Sequence, residues 1–360
     1  MLLPGSLSLS RLPGGIGNGH DRPQPGAVCN GWNAGVLMAA SEFSLIDRYF
    51  AAQGLHRADV VLGIGDDGAL LQPSNGQQLV VTMDTLVADV HFFAAADAAG
   101  IGHKALAVNL SDLAAMGAMP AWVTLALTLP KADESWLEQF CQGLFALAAR
   151  YQVQLVGGDT THGSTTVITI HAQGFAPVGA ALRRDGARPG DGIYVTGALG
   201  DAGLALAAVL GKVQVAAKER AVIQRRLEWP EPRIAQGLAL RGIASAAIDI
   251  SDGLAQDLGH ILERSQCGAV VAVDDLPVSP ALAASVERDA ALALALAGGD
   301  DYELCFTAPP AQSERLQAVA AAWDCRCTRI GTITVEPGLA LRRADGSRFC
   351  LEHSGYDHFG

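Results

Sequence analysis

"GIGDDGAL", residues 63–70, sets two adjacent carboxylates, Asp66 and Asp67, among glycines directly after the apolar run Val60-Val61-Leu62. Like charges side by side on nearly bare backbone repel one another, and keeping them ionised costs free energy unless a cation lies between them. The same design recurs. Asp84 follows the apolar run in "QQLVVTMD" (77–84), Asp159 stands in "GGDTT" (157–161), Asp249 and Asp252 lie in "DISDG" (249–253), and Asp300 and Asp301 lie in "GGDDYEL" (298–304). Asp112 adds a carboxylate from a helical segment. Carboxylates at the ends of several strands suit hard cations such as Mg²⁺, which take oxygen ligands and keep waters or phosphate oxygens in their remaining positions. Any one aspartate in a turn is as readily a solvated loop residue or a helix cap. The repetition of one flanking style carries the argument.

The segments around these turns alternate between strand and helix. "ADVVLGIGDD" (58–67) and "QQLVVTMDTLV" (77–87) read as strands ending at acids, behind a first helix in "SEFSLIDRYFA" (41–51), where Ser41 is a cap and Phe43, Ile46 and Phe50 recur at helical spacing. "GHKALAVNLSDLAAMGA" (102–118) reads as a helix with Leu106, Leu110 and Leu113 on one face and Asn109 and Asp112 on another, so that Asp112 projects away from the core. A second amphipathic helix, "SWLEQFCQGLFALAARY" (135–151), precedes the strands "VQLVGGDTT" (153–161) and "TTVITIHAQGFA" (165–176). Around Arg183 the pattern restarts with a strand, a Gly-rich turn and a helix. Then comes "ASAAIDISDGLAQDLGHILERS" (244–265), a strand running into a helix whose Leu254, Leu258 and Ile261 share a face. "GGDDYELCFTAP" (298–309) is another acidic turn leading into a strand.

This pattern predicts an α/β protein with mixed sheets and two domains, 38–180 and 181–348, followed by a tail, 349–360. Residues 1–37 are interrupted by proline and glycine and lack a basic start, which predicts a disordered extension or a mis-called start rather than a signal peptide. No apolar stretch reaches the length of a membrane span.

Composition narrows the function. The chain has 360 residues, a formal charge of −12 and no Lys/Arg run that could track a nucleic-acid backbone. Lys104, Lys131, Lys212 and Lys218 are its only lysines, so phosphates must be met by metal ions, backbone N–H groups and arginine. Seven scattered cysteines, including the Cys325-x-Cys327 pair, fit a reducing compartment, and a cytoplasmic location is expected. No segment carries the spaced acids and distal glutamate of an EF-hand, the G-x-x-x-x-G-K-[ST] loop, or the H-R-D and D-F-G elements of protein kinases. Phosphoryl chemistry here needs another architecture.

One such architecture matches in order. "EFSLIDRYF", "GIGDDGAL", "DTLVADVHF", "KALAVNLSDLAAMGAMPAW", "LVGGDTT", "RPGDGIYVTGALGDAGLAL", "DISDGLAQDLGHI", "GGDDYELCF" and "GYDHF" closely resemble the thiamine-monophosphate kinases, of the aminoimidazole-ribonucleotide-synthetase-like superfamily of ATP-dependent enzymes. The likeness runs over about residues 41 to 359.

The resemblance implies an N-terminal Mg-ATP-binding and dimerisation domain, a C-terminal α/β domain, a tail that contributes to the substrate pocket, and a homodimer. It implies that Asp67, Thr82, Asp84, Asp112, Asp159, Asp249 and Asp252 bind several Mg²⁺ ions. Gly158, Asp159, Arg184 and Ser251 match positions that contact ATP, and His91, Asp300 and Tyr356 match positions lining the thiamine phosphate pocket. Outside that context His91, Arg184 and Tyr356 read as ordinary surface or packing residues.

Two positions depart from the family pattern: Met83 stands where a small polar residue is frequent, and Asp300 replaces the glutamate of "GGEDYE". The implied reaction moves the γ-phosphoryl group of ATP onto thiamine monophosphate, whose phosphate is already an ionised nucleophile near neutrality and needs no general base. Aminoimidazole-ribonucleotide-synthetase-like chemistry and a catalytically silent Mg-nucleotide-binding module are the alternatives. A selenophosphate synthetase is disfavoured, because no cysteine lies between Cys29 and Cys141 and no lysine precedes Lys104.

Overall fold

The computed structural model of the chain describes residues 45–51, 55–353 and 355–356. The expected extension over residues 1–37, the cap at Ser41 with Phe43, and the final residues 357–360 lie outside the described residues. A short π-helical segment, Ile46–Ala51, represents the first expected helix.

Strands β1 (Val60–Leu62) and β2 (Leu70–Leu71) form a small antiparallel ribbon around the first acidic turn. Strands β3 (Gln77–Val87), β4 (Met119–Leu129), β5 (Gln154–His162) and β6 (Val167–Pro177) form a four-stranded sheet in the order β3-β6-β4-β5, with only β4 and β5 parallel. Alternation along β3 and β6 turns Val80, Leu86, Ile168, Ile170 and Ala172 inward, while Leu79, Val81 and Met83 stand exposed on the other side.

Helices α1 (Ala98–Ala115) and α2 (Glu134–Arg150) cover the inward face. Asp97 caps α1 by accepting the Gly100 N–H at 3.1 Å, and Asp133 caps α2 through Trp136 N–H at 3.2 Å. The two helices touch through glycine. A Cβ on Gly102 would lie 2.0 Å from the Phe140 carbonyl oxygen, and one on Gly143 only 1.8 Å from that of Ala99.

The second half builds a six-stranded sheet from β7 (Gly192–Thr196), β8 (Ala246–Asp249), β9 (Gly268–Ala272), β10 (Leu304–Ala308), β11 (Cys327–Thr334) and β12 (Gly338–Arg342), in the order β12-β9-β11-β7-β10-β8. Its helices are α3 (Asp201–Val209), α4 (Ala217–Glu228), α5 (Ile234–Ala239), α6 (Leu254–Ser265), α7 (Pro280–Ser285), α8 (Arg288–Ala297) and α9 (Ser313–Ala320). Leu254, Leu258 and Ile261 are fully buried and share the core-facing side of α6, as the spacing predicts. Cys327 opens β11 and Cys325 precedes it; burial pushes both thiols up, that of Cys327 to about 12, so the pair is held as neutral thiols.

The position of α1 corrects one sequence expectation. All its residues except Ala99 and Asp112 are buried, and Asn109 is as enclosed as the leucines. The two-faced reading fails because α1 lies between the four-stranded sheet on one side and α5 and β8 on the other, within one continuous core that includes Leu106, Leu110, Ile170, Ile234, Ala247 and Phe306. Asn109 thus has no solvent face and must find partners inside, whereas Asp112 keeps partial exposure, as expected of a side chain projecting from the core.

Candidate active site

Three of the expected ligand carboxylates, Asp84, Asp112 and Asp249, come from elements that converge where α1 crosses the sheets. On β3, Thr82 and Asp84 share the inward face; the Thr82 hydroxyl donates to Asp112 Oδ2, and the Asp84 backbone N–H donates to Asn109 Oδ1 at 3.2 Å. From the second sheet, Asp249 at the end of β8 accepts the Ser111 hydroxyl at 2.7 Å. The Asn109 amide is held by the Ala105 carbonyl one turn back, at 3.1 Å. Thus one turn of α1, residues 109–112, meets the middle of β3 and the end of β8.

The electrostatics of this group are unfavourable in isolation. Burial, with the Asp112 charge beside it, pushes the Asp84 carboxyl up to about 7. Burial raises Asp112 also, partly offset by the Thr82 hydroxyl and the charge of Arg184. Asp249, fully buried, is raised well above the carboxylate range by desolvation and then by Asp112. Among the described residues no lysine or arginine forms an ion pair with any of the three. Oxygen-only donors that repel one another and have no ion-pair partner among the described residues suit a hard divalent cation, so the residues fit magnesium on their chemistry.

The "DISDG" turn is organised by a residue the sequence reading passed over. Asp257 accepts the backbone N–H groups of Ser251, Asp252 and Gly253 at 3.0, 3.1 and 3.1 Å, and burial pushes its carboxyl up to about 7 despite those bonds. Ser251 thereby sits half-buried with its carbonyl accepting the Asp300 N–H at 2.7 Å. Asp252 is held by Gln256 Nε2 at 3.2 Å. The tail reaches this turn: Tyr356 donates its N–H to the Asp252 carbonyl at 3.1 Å, with its ring half-exposed.

Asp67 and Asp159 lie elsewhere. With Asp66, Gly158 and Thr160 they line a groove of about 730 Å³ along the free edge of β5, floored by Ile46, Phe50 and Leu155. In the strand register Asp159 falls in the row of Ala126, Thr169 and Thr85, which is the face opposite Asp84. Glycine at 158 is required by the neighbouring strand, since a Cβ there would meet the Leu125 carbonyl oxygen at 2.0 Å. Arg184 is exposed beside His260 and Arg264, its own carbonyl accepting the Ser265 hydroxyl at 2.8 Å. Within one chain the structure therefore joins Thr82, Asp84, Asp112 and Asp249, and separately joins Asp67, Gly158 and Asp159. Among the described residues, no three acidic, His or Cys side chains stand ready around one point.

A second, more apolar cavity of about 240 Å³ is walled by Phe92, Phe93, Ile101, Leu206, Leu210 and Leu227. His91 and Asp300 both line it, together with Lys104 of α1. His91 Nδ1 accepts the Val87 N–H at 3.0 Å. Asp300 and Tyr302 occupy left-handed backbone (φ 58° and 49°), a local strain that turns the Asp300 carboxylate to Lys104 Nζ at 3.1 Å and to the Tyr302 hydroxyl at 2.9 Å. Tyr356 does not line this cavity. Asp301 is half-buried and does not line this cavity; its carboxylate accepts the Gly200 N–H at 2.9 and 3.0 Å, so it ties down the turn ahead of α3.

Two family models match in tandem: AIR synthase related protein, N-terminal domain, over residues 65–176, and the corresponding C-terminal domain over residues 188–343. The thiamine-monophosphate kinase of Escherichia coli (strain K12) is 52% identical over 324 residues, covering 89% of this chain and 99% of the relative. The chain belongs to the thiamine-monophosphate kinase family. A solved thiamine-monophosphate kinase from Stenotrophomonas maltophilia K279a superposes with a TM-score of 0.79 at 50% identity, covering 87% of this chain and 99% of that one. The solved complex "AaThiL complexed with AMPPCP and TMP" superposes with a TM-score of 0.69 at 30% identity, covering 88% of this chain and 97% of that one. The family fold of two AIR-synthase-related domains agrees with the mixed α/β architecture expected from sequence.

The sequence reading named Asn109 and Lys104 without giving either a site role, and it did not single out Ser111 or Asp257. Lys104 had a signal in the scarcity of lysine, and Ser111 in its position two helical turns beyond Lys104.

Proposed function

We propose that this chain transfers the γ-phosphoryl group of ATP to the phosphate of thiamine monophosphate, giving thiamine diphosphate and ADP. Its near-full-length identity to thiamine-monophosphate kinases carries the reading, and the site geometry agrees with it. The acceptor phosphate is an ionised nucleophile near neutral pH, with a second pKa of about 6, so the protein's task is to position two polyanions in line and offset their repulsion. Magnesium ions, when bound, would neutralise phosphate charge and stabilise the charge that develops on the transferring group. Asp84, Asp112 and Asp249, with the Thr82 hydroxyl, are assigned to hold them, Asp252 adds a carboxylate from the adjoining turn, and Asp67 and Asp159 supply two more from the β5 groove. Arg184 neutralises a nucleotide phosphate, Gly158 and Ser251 contact the nucleotide, and the cavity of His91 and Asp300 takes the thiamine rings. Tyr356 closes over the Asp252 turn from the tail.

The homodimer belongs to this reading. β3 is an edge strand whose outer face carries Leu79, Val81 and Met83 at 47%, 51% and 63% exposure, an apolar row that a second copy would cover. Met83 then serves as an interface residue, which accounts for its departure from the small polar residue frequent in relatives. Asp159 lies on that same outer face, which supports a site completed between subunits. The two sequence halves act as a nucleotide-binding, dimer-forming domain over 38–180 and a covering domain over 181–348, in the cytoplasm.

The deciding experiment measures ADP release with ATP and Mg²⁺ on thiamine monophosphate and on free thiamine. Turnover only with the monophosphate is expected; preference for free thiamine overturns the acceptor assignment, and nucleotide binding without turnover favours a silent module.

A further inference from the structure

We infer that Lys104 is a specificity-determining residue: its ammonium, positioned by Asp300, binds the phosphate of the acceptor and lets the site distinguish phosphorylated thiamine from free thiamine. This rests on the function proposed above and assigns that site a residue that the sequence reading left out.

Lys104 is one of four lysines in the chain and is only 4% exposed. Desolvating an ammonium is costly unless its charge and donors are used. Two acceptors meet it, Asp300 Oδ2 at 3.1 Å and the His91 carbonyl at a looser 3.4 Å. An ammonium carries three N–H donors, and among the described residues no third acceptor takes the last one. The cavity it lines is otherwise acidic or apolar, with Asp89, Asp97, Glu228 and Asp300 around phenylalanine and leucine walls. That lining suits a cationic ring system, and Lys104 is its one cationic exception among the lining residues.

The location fits a phosphate. The Asp300 loop is laced to the end of β8 by the Asp300 N–H on the Ser251 carbonyl (2.7 Å) and the Tyr302 N–H on the Ile250 carbonyl (2.8 Å). Lys104 thus lines the apolar cavity and holds the loop that is bonded to the 250–251 backbone. Along α1 it precedes Ser111, the partner of Asp249, by seven residues, about 10 Å of helix axis. Asp300 is occupied by Lys104 and the Tyr302 hydroxyl, so it acts through Lys104 rather than as a direct counter-ion to the thiazolium ring. Its one-methylene shortening relative to the family glutamate then sets where the ammonium sits.

The test titrates thiamine monophosphate and free thiamine into the full-length protein by calorimetry, for wild type, Lys104→Met, Lys104→Arg and the charge-neutral pair Lys104→Met/Asp300→Asn. Lys104→Met is expected to weaken the monophosphate by about 10- to 100-fold, the range of a charge-assisted hydrogen bond, while free thiamine binds as to wild type. Lys104→Arg should recover part of the lost monophosphate affinity. The double variant buries no unpaired charge, so it keeps the comparison valid if Lys104→Met alone misfolds. Equal weakening of both ligands, or no weakening of the monophosphate, overturns the inference. Failure of the wild type to turn over the monophosphate instead overturns the proposed function.

Discussion

Replacing Gly143 by alanine tests whether the helix pair α1/α2 sets the site. The added Cβ would lie 1.8 Å from the Ala99 carbonyl oxygen, 2.6 Å from its carbon and 3.0 Å from its Cα, all backbone atoms that cannot rotate aside. The helices must part by roughly 1.6 Å to restore an ordinary contact, and overpacking of this kind costs about 1–3 kcal/mol. For a cooperative unit of about 150–250 residues, each kcal/mol lowers Tm by roughly 2–4 °C, so a fall of about 2–12 °C is expected. Activity should fall further than stability accounts for. α1 carries Lys104, Asn109, Ser111 and Asp112 as one rigid body, and a displacement near 1 Å at reacting groups can cost about 10²-fold in rate. Differential scanning calorimetry and kcat measured well below the variant's Tm separate the two effects. A variant that melts with the wild type and keeps its kcat would refute the claim that this contact positions the site.

Asp112→Asn removes one of the desolvated charges without changing volume; kcat should fall by about 10²-fold or more and the Mg²⁺-induced rise in Tm should shrink, while circular dichroism stays native. An unchanged Mg²⁺ response would remove Asp112 from the ligand set. Mixing Asp112→Asn with Asp159→Asn subunits should restore about one quarter of wild-type activity if each site draws on both chains, since half the dimers are mixed and each mixed dimer has one intact site. No recovery after subunit exchange would place each site within one chain. His103 is buried against Trp229 and bonds the Pro230 carbonyl at 2.8 Å, and burial lowers its pKa below 6.5. The unfolded chain then binds the proton first, so the stability this neutral histidine contributes is present above about pH 6.5 and lost as pH falls; Tm of wild type minus that of His103→Gln should decline below that pH, and a flat difference would refute it. Arg233→Met strands the buried Glu303, bonded by Arg233 Nε at 2.6 Å, and should cost about 3–5 kcal/mol in denaturant unfolding, most of it recovered in Arg233→Met/Glu303→Leu.

What the sequence revealed depended on whether a residue's role was local. The strands of "QQLVVTMDTLV" and "TTVITIHAQGFA" were legible because alternation is a property of neighbours, and α6 because Leu254, Leu258 and Ile261 face one core. α1 was misread as two-faced because its second wall, α5 and β8, comes from more than a hundred residues away. The face of Asp159 was also hidden. Its register depends on the irregularity between Val123 and Thr124, which shifts β5 against β4 and carries no sequence signature. Lys104 was visible as a scarce residue but not as a site residue, since its partner Asp300 lies 196 positions away. The family resemblance supplied the ligand positions; the structure adds which of them share a face.

The sharing of faces bears on why this fold tolerates so unfavourable a cluster. Three carboxylates held together away from water make the metal-free protein less stable than one with amides or apolar groups there, because desolvation and mutual repulsion both oppose ionisation. The opposing contribution comes from α1, whose apolar residues are enclosed by two sheets and whose position is fixed at two glycine contacts. Asp84, Asp112 and Asp249 thus sit on elements packed into or against the enclosed core, which opposes their moving apart to relieve repulsion. A looser site would let them splay into solvent and lose its preference for a cation. Asp67 and Asp159 lie on an exposed groove at a sheet edge, where water screens their charge more than on the enclosed inner face. Enclosed acids on the inner face and exposed acids on the outer one divide the work: the first set fixes where charge is neutralised, and the second accommodates the nucleotide that brings it.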